Sequence, residues 1–324
     1  MLSSPPACPR VLESHSSAAR AIPIHMPTPL AFSIADITVT LQCHPPVSGV
    51  SAPPAYQAFL SNRANDVCIE VSTGEPLCDE QVRVFDSAPI WSLYRLKTGS
   101  SFHLFDSYPD LKRTLFIPDE GGCARLSFQA ADRNPFVGPA LELLMITHLA
   151  RRGGVILHGC GISIDGRGIV FAGQSGAGKS TLSRLWARQE GIEILSDDRV
   201  IVRSQNGSLY LYGTPWHGDE AFAAPGGVPL ERIYFIRHGQ GNDVRKLSAA
   251  GAVREMLKCS FPPLWDAGGM AAALELFHGM AIAVPCAELA FVPDHTAIDF
   301  VLDWAGQAGR AQGSGFRKEA DTEA

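Results

Sequence analysis

Residues 173–180 read Gly-Gln-Ser-Gly-Ala-Gly-Lys-Ser, the pattern GxxxxGK[ST]. No other stretch of the chain limits the fold as strongly. Its glycines let successive backbone N–H groups turn inward, which needs positive φ and no side chain in the way. A strand leading in and a helix leading out complete such a loop, because the helix N-terminus adds partial positive charge. An apolar run at 169–172 precedes this loop, and a helical pattern over 179–189 follows it. The segment therefore predicts a strand–loop–helix unit that cradles the phosphates of a nucleotide. Its binding residues are expected to be Gly173, Gln174, Ser175, Gly176, Ala177, Gly178, Lys179, Ser180 and the adjoining Thr181. The Lys179 ammonium is expected at the β and γ phosphates and the Ser180 hydroxyl on Mg²⁺, so ATP with Mg²⁺ is the expected ligand pair.

Two further features lie close enough in sequence to join the loop. Asp197 and Asp198 end a short apolar strand expected at 192–195. An acid at a strand end beside a phosphate loop is where Mg²⁺ is held, and a second acid can take the proton of an attacking hydroxyl. Asp197 is expected to be a metal ligand beside Ser180, while the division of labour between Asp197 and Asp198 stays open. His158 ends a strand expected at 155–158. If that strand neighbours the loop's strand, the imidazole orients the nucleophile or meets the γ phosphate; otherwise it is a structural histidine. The catalytic set is thus His158, Lys179, Asp197 and Asp198.

The combination Leu157-His158-Gly159, then Phe171 through Ser180, then Ser196-Asp197-Asp198-Arg199-Val200 resembles the catalytic core of HPr kinase/phosphorylase. The match covers residues 158–202. The resemblance implies a fold related to phosphoenolpyruvate carboxykinase and an activity that moves the γ-phosphoryl group of ATP, with Mg²⁺, to a hydroxyl. It extends to a broader HPr-kinase-like group that includes peptide-cluster kinases. The acceptor would be Ser or Thr of a peptide or small protein, or a small alcohol. Thr181 stands where the family proper has an acidic residue, and 214–220 (Thr-Pro-Trp-His-Gly-Asp-Glu) occupies the place of its second, Glu-containing signature. A nucleotide-gated binding module with little catalysis is the alternative function.

The expected fold class is α/β: a PEP-carboxykinase-like P-loop kinase core preceded by a mostly antiparallel β domain. Residues 1–29 are expected to be a disordered tail, with Met26 a candidate true start. Residues 30–133 form the β-rich domain, 134–305 the kinase domain, and 306–324 a second disordered tail. Strands are expected at 32–42, 66–71, 90–97, 101–106, 113–118 and 123–129, from β-branched and aromatic runs between turn residues. Asn134 and Pro135 suggest the start of a helix that carries Leu141, Leu144, Met145, His148 and Leu149, with His148 packed or partly exposed. Beyond the loop, strands at 199–203 and 208–212 flank the hairpin signal Asn206-Gly207. A strand at 231–236, helices at 248–259 and 271–281, a strand at 289–292 and a helix at 295–305 complete the alternation of an α/β core.

Composition narrows the partners. The 324 residues include 27 Lys and Arg against 33 Asp and Glu, a net charge of -6, with no basic run. That excludes a basic nucleic-acid-binding face. No apolar stretch reaches the roughly 18–20 residues of a membrane span. Eight cysteines are scattered without a CxxC pair, so free buried thiols in a reducing cytoplasm are expected. The resemblance to HPr kinase, whose members form hexamers, is compatible with a homo-oligomer.

Overall fold

The computed structural model describes residues 29–43, 50–74, 82–107, 110–128 and 134–313. The expected tails up to residue 28 and from residue 314, together with Met26, Cys8 and Cys78, lie outside the described residues. The protein is mixed α/β, with two large sheets of antiparallel and mixed pairing and six helices among the described residues.

The first sheet is built from β1 (Leu30–Ile34), β2 (Ile37–Cys43), β3 (Val67–Thr73), β4 (Val82–Ser87), β5 (Trp91–Leu96), β6 (Gly99–Ser107), β7 (Asp110–Pro118) and β8 (Ala124–Phe128); the one-turn helix α1 (Pro54–Gln57) lies between β2 and β3. Its order is β1-β2-β3-β8-β7-β6-β5-β4. Most neighbours run antiparallel, but β3 lies parallel to both β2 and β8. The single strand expected at 32–42 is in fact the hairpin β1–β2. Ala35 and Asp36 turn the chain with φ of 51° and 57°, without the Asn-Gly or Asp-Gly pair that would mark such a turn. Long-range bonds hold it: Tyr212 Oη donates to Asp36 Oδ2 at 2.7 Å, and Arg203 donates to the Ala35 carbonyl. Strand β4 escaped the sequence reading because its side chains are mostly exposed.

The second sheet and its helices are α2 (Ala140–Ala150), β9 (Gly154–Ile164), β10 (Arg167–Ala172), α3 (Lys179–Trp186), β11 (Ile192–Ser196), β12 (Arg199–Gln205), β13 (Ser208–Tyr212), β14 (Gly227–His238), β15 (Asp243–Lys246), α4 (Ala249–Lys258), α5 (Ala267–Ala283), β16 (Cys286–Phe291) and α6 (Thr296–Gly313). The two strands expected at 155–158 and 161–164 are one long strand, β9. Its first half pairs β12 and its second half pairs β10 and β11. Gly161 permits this change of partner, since a Cβ there would sit 2.7 Å from Val200 Cγ1. Strands β10, β14 and β16 run parallel side by side, so their C-terminal ends share one edge. Such edges collect ligands in α/β folds.

Alternation along these parallel strands separates two cores. Val170, Ala172, Ile233 and Phe235 pack toward α4 and α5, while Ile169, Phe171, Tyr234 and Ile236 pack toward α3 and α6. Residues one apart point to opposite faces of a sheet, so both faces are covered. Helix α2 starts at Ala140 rather than near Asn134; the Asn134 side chain instead closes a local turn by accepting from Phe136 N at 3.0 Å. The helix is apolar nearly all round, and its Leu141, Leu144 and Met145 join one core with Leu126 of the first sheet and Ile156 of the second. The helix expected at 295–305 is α6, which runs from Thr296 to Gly313.

The cysteine expectation holds in part. Cys160, Cys259 and Cys286 are free, but Cys68 and Cys123 form a disulfide. The parallel register of β3 and β8, with Ile69 opposite Ala124, sets the two Cα atoms 4.6 Å apart. No sequence spacing reveals a pairing that depends on that register. No helix among the described residues is long and apolar enough to cross a membrane.

Candidate functional site

The segment 173–180 joins the C-terminal end of β10 to the first residues of α3. Gly176 and Gly178 adopt φ of 80° and 103°, the left-handed region that favours glycine. At Gly178 a Cβ would also lie 2.7 Å from Phe291 Cζ. Among the described residues, the backbone amides of Ser175, Gly176, Gly178, Lys179, Ser180 and Thr181 donate to no protein acceptor. Six free donors in a turn opening a helix form an anion cradle. The Lys179 ammonium folds over the loop's start and donates to the Gly173 and Gln174 carbonyls at 3.0 and 3.1 Å. Burial holds this ammonium below its usual range, with the Asp198 charge acting against that. A phosphate oxygen could replace those two carbonyls as the acceptor of a strong charge-assisted bond. Glycines, free amides, Lys179 and the Ser180 hydroxyl thus fit a nucleotide triphosphate with its Mg²⁺.

His158 is tied to this loop through its backbone. Its carbonyl accepts from Gly173 N at 3.1 Å, and its amide donates to the Cys259 carbonyl at 2.7 Å. The imidazole Nε2 lies 3.0 Å from Asp198 Oδ1. The other oxygen of Asp198 accepts from the Arg199 guanidinium. Arg199 Nε in turn sits 3.1 Å from Glu142 Oε2 on α2, and the guanidinium stacks over the Phe261 ring at 5.2 Å. Burial raises the Asp198 carboxyl, but the His158 hydrogen bond and the charges of Arg199 and Lys179 outweigh it and hold the pKa below the usual carboxylate value. Burial pushes Glu142 up despite Arg199. Asp198 is therefore an ionised carboxylate at neutral pH, aimed and held by two partners.

Asp197, expected beside it as a metal ligand, has a different environment. It is buried, and its two oxygens accept from Gly218 N and Glu220 N, each at 2.9 Å. The carboxylate clamps the turn on both sides of Asp219. Three more contacts fix the 214–220 segment. Thr214 Oγ1 donates to the Arg199 carbonyl at 2.6 Å, Trp216 Nε1 donates to Tyr56 Oη at 2.9 Å, and Glu220 pairs with Arg184 of α3 at 3.2 Å. Trp216 thus packs the segment onto the first sheet's side, whereas His217 is exposed.

These parts meet around a cavity of about 550 Å³ lined by His158, Ser175, Gly176, Gly178, Lys179, Ser180, Thr181 and Asp198, with Gly218, Asp219 and His238. Gly173, Gln174 and Ala177 line a neighbouring cavity of about 330 Å³. Of the residues expected at the site, Asp197 alone lines neither. Glu142, Arg199, Asp219 and His238 are the additions. His238 sits at the end of β14, and its Nε2 lies 2.6 Å from the Gly176 carbonyl. Its position after a parallel strand was the available signal; Glu142 offered none, because only α2 packing brings it to Arg199. Compared with known proteins, the chain matches no family model and no curated sequence.

Proposed function

We propose that this protein is an ATP- and Mg²⁺-dependent kinase that transfers the γ-phosphoryl group to a hydroxyl, with a core related to HPr kinase and phosphoenolpyruvate carboxykinase. One observation carries the reading: the ionised Asp198, held by His158, faces the same cavity as Lys179 and the loop's free amides. Bound MgATP supplies a transferable phosphoryl group. Lys179 and the free amides of Ser175, Gly176, Gly178, Lys179, Ser180 and Thr181 hold its phosphates, and Ser180 holds Mg²⁺, which takes few protein ligands and keeps waters and phosphate oxygens for the rest. Asp198 takes the proton of the acceptor hydroxyl, and His158 keeps the carboxylate oriented. Asp197 is reassigned from metal ligand to clamp of the 218–220 turn, as its two amide bonds support. Because the co-substrate is ATP, the reading carries a cytoplasmic location with it; the Cys68–Cys123 disulfide pulls the other way.

The test is calorimetric titration with MgATP followed by transfer from γ-labelled ATP to hydroxyl acceptors. Wild type binds and transfers, and Lys179→Ala binds at least ~100-fold more weakly, the loss of a desolvated charge-assisted contact. Binding without transfer to any acceptor, water included, would support a nucleotide-gated module instead.

A further inference from the structure

We propose that the second cavity, of about 330 Å³, holds the carboxylate of an acceptor whose neighbouring hydroxyl reaches into the first cavity, where Asp198 stands; this rests on the kinase reading. Direction comes from Lys179. In a phosphate loop the lysine marks the β and γ phosphates, and Lys179 Nζ lies against the carbonyls of Gly173 and Gln174. Both of those residues line the second cavity. Lys179 itself lines the first cavity with His158 and Asp198, so the transferable end of the nucleotide lies in the first cavity and borders the second. The two spaces share Ser175, Gly176 and His238, so an acceptor in one reaches a phosphoryl group in the other.

Charge defines the acceptor. The lining of the second cavity includes Arg237 on β14 and Lys258 on α4, against one carboxylate, Glu255. Glu255 is shared between Lys258 at 2.9 Å and Arg254 at 3.4 Å. Arg237 uses Nε toward Glu288 at 2.6 Å, which leaves its terminal nitrogens as donors. The wall thus holds more cationic donors than its own acids occupy, and it suits a carboxylate on the acceptor. In the transfer, the acceptor oxygen forms a bond to the γ phosphorus as the bond from that phosphorus to the β–γ bridging oxygen breaks. The bridging oxygen leaves with the electron pair on ADP, and the hydroxyl proton passes to Asp198.

The chemistry is common to a small hydroxy acid and to a serine flanked by aspartates, so both are assayed. Glycerate is titrated against glycerol, and an Asp-Ser-Asp peptide against Asn-Ser-Asn, by calorimetry without nucleotide and by label transfer with MgATP. We expect the acidic member of at least one pair to be favoured about tenfold or more in both readouts, as a charge-assisted contact gives. The responding pair identifies the source. Lys258→Glu should remove the preference, and Lys258→Arg should retain it. Equal binding within both pairs, or a preference that survives Lys258→Glu, overturns the subsite. Failure of wild type to bind MgATP is read in its own titration and strikes the kinase reading instead.

Discussion

Asp197 and Asp198 are adjacent in sequence yet serve opposite sides of the same turn: Asp198 meets His158 at 3.0 Å, while Asp197 accepts the amides of Gly218 and Glu220 at 2.9 Å. The first relationship aims a carboxylate into the cavity. The second holds the segment that walls the cavity and presents Asp219 to it.

Asp197→Asn tests that clamp. An amide offers a single acceptor oxygen, so one of the two backbone amides loses its partner in a buried setting. A lost hydrogen bond to a charged group costs about 1.5–3 kcal/mol. Hydrogen exchange should accelerate at Gly218 and Glu220, with much smaller change in β12 and β13. Unchanged protection at both amides would contradict the clamp.

Gly178→Ala tests the loop. The new Cβ would meet Phe291 at 2.7 Å in a residue with φ of 103°, so both the clash and the backbone oppose it. Left-handed strain alone costs roughly 1–3 kcal/mol. The melting temperature should fall and MgATP affinity should drop at least tenfold. Gly166→Ala, a turn glycine with open space and φ of 74°, should lower stability through its backbone without touching nucleotide affinity.

His148 on α2 gives the pH prediction. Burial, helped by Arg152 and Arg151, pushes its imidazole from 6.5 down to about 4. The unfolded chain therefore binds the proton first as pH falls from 6.5, and stability is lost progressively down to about 4, where the folded form also protonates. His148→Gln, which cannot take up that proton, should show a shallower loss of melting temperature across this window. Parallel profiles for the two proteins would contradict the assignment.

The loop, its flanking strand and helix, and the Asn206-Gly207 hairpin were legible because each rests on local residue types. The turn at Ala35-Asp36 was not, since Tyr212 and Arg203 impose it from the other half of the chain. The fusion of 155–158 and 161–164 into β9 escaped for a related reason. Gly159 and Gly161 read as a break, but Gly159 admits the close approach of the Phe171 carbonyl and Gly161 that of Val200. At the site, sequence located the acids and left their roles open, because neighbouring residues at a strand end diverge and only the fold decides which partner each finds. The pair Arg199–Glu142 and the disulfide Cys68–Cys123 depend on contacts between elements distant in the chain, for which no local pattern exists.

Asp198→Asn tests the central claim most directly. It keeps the shape of the side chain and removes its charge and its capacity as a base. The measurement is the rate of label transfer from γ-labelled ATP at saturating MgATP, beside calorimetric binding of MgATP by the same protein. The account predicts that wild type transfers label and that the variant binds MgATP yet transfers about 10²–10⁴-fold more slowly, the usual contribution of a positioned base. Equal transfer rates in the two proteins, or no MgATP binding by wild type, would contradict it.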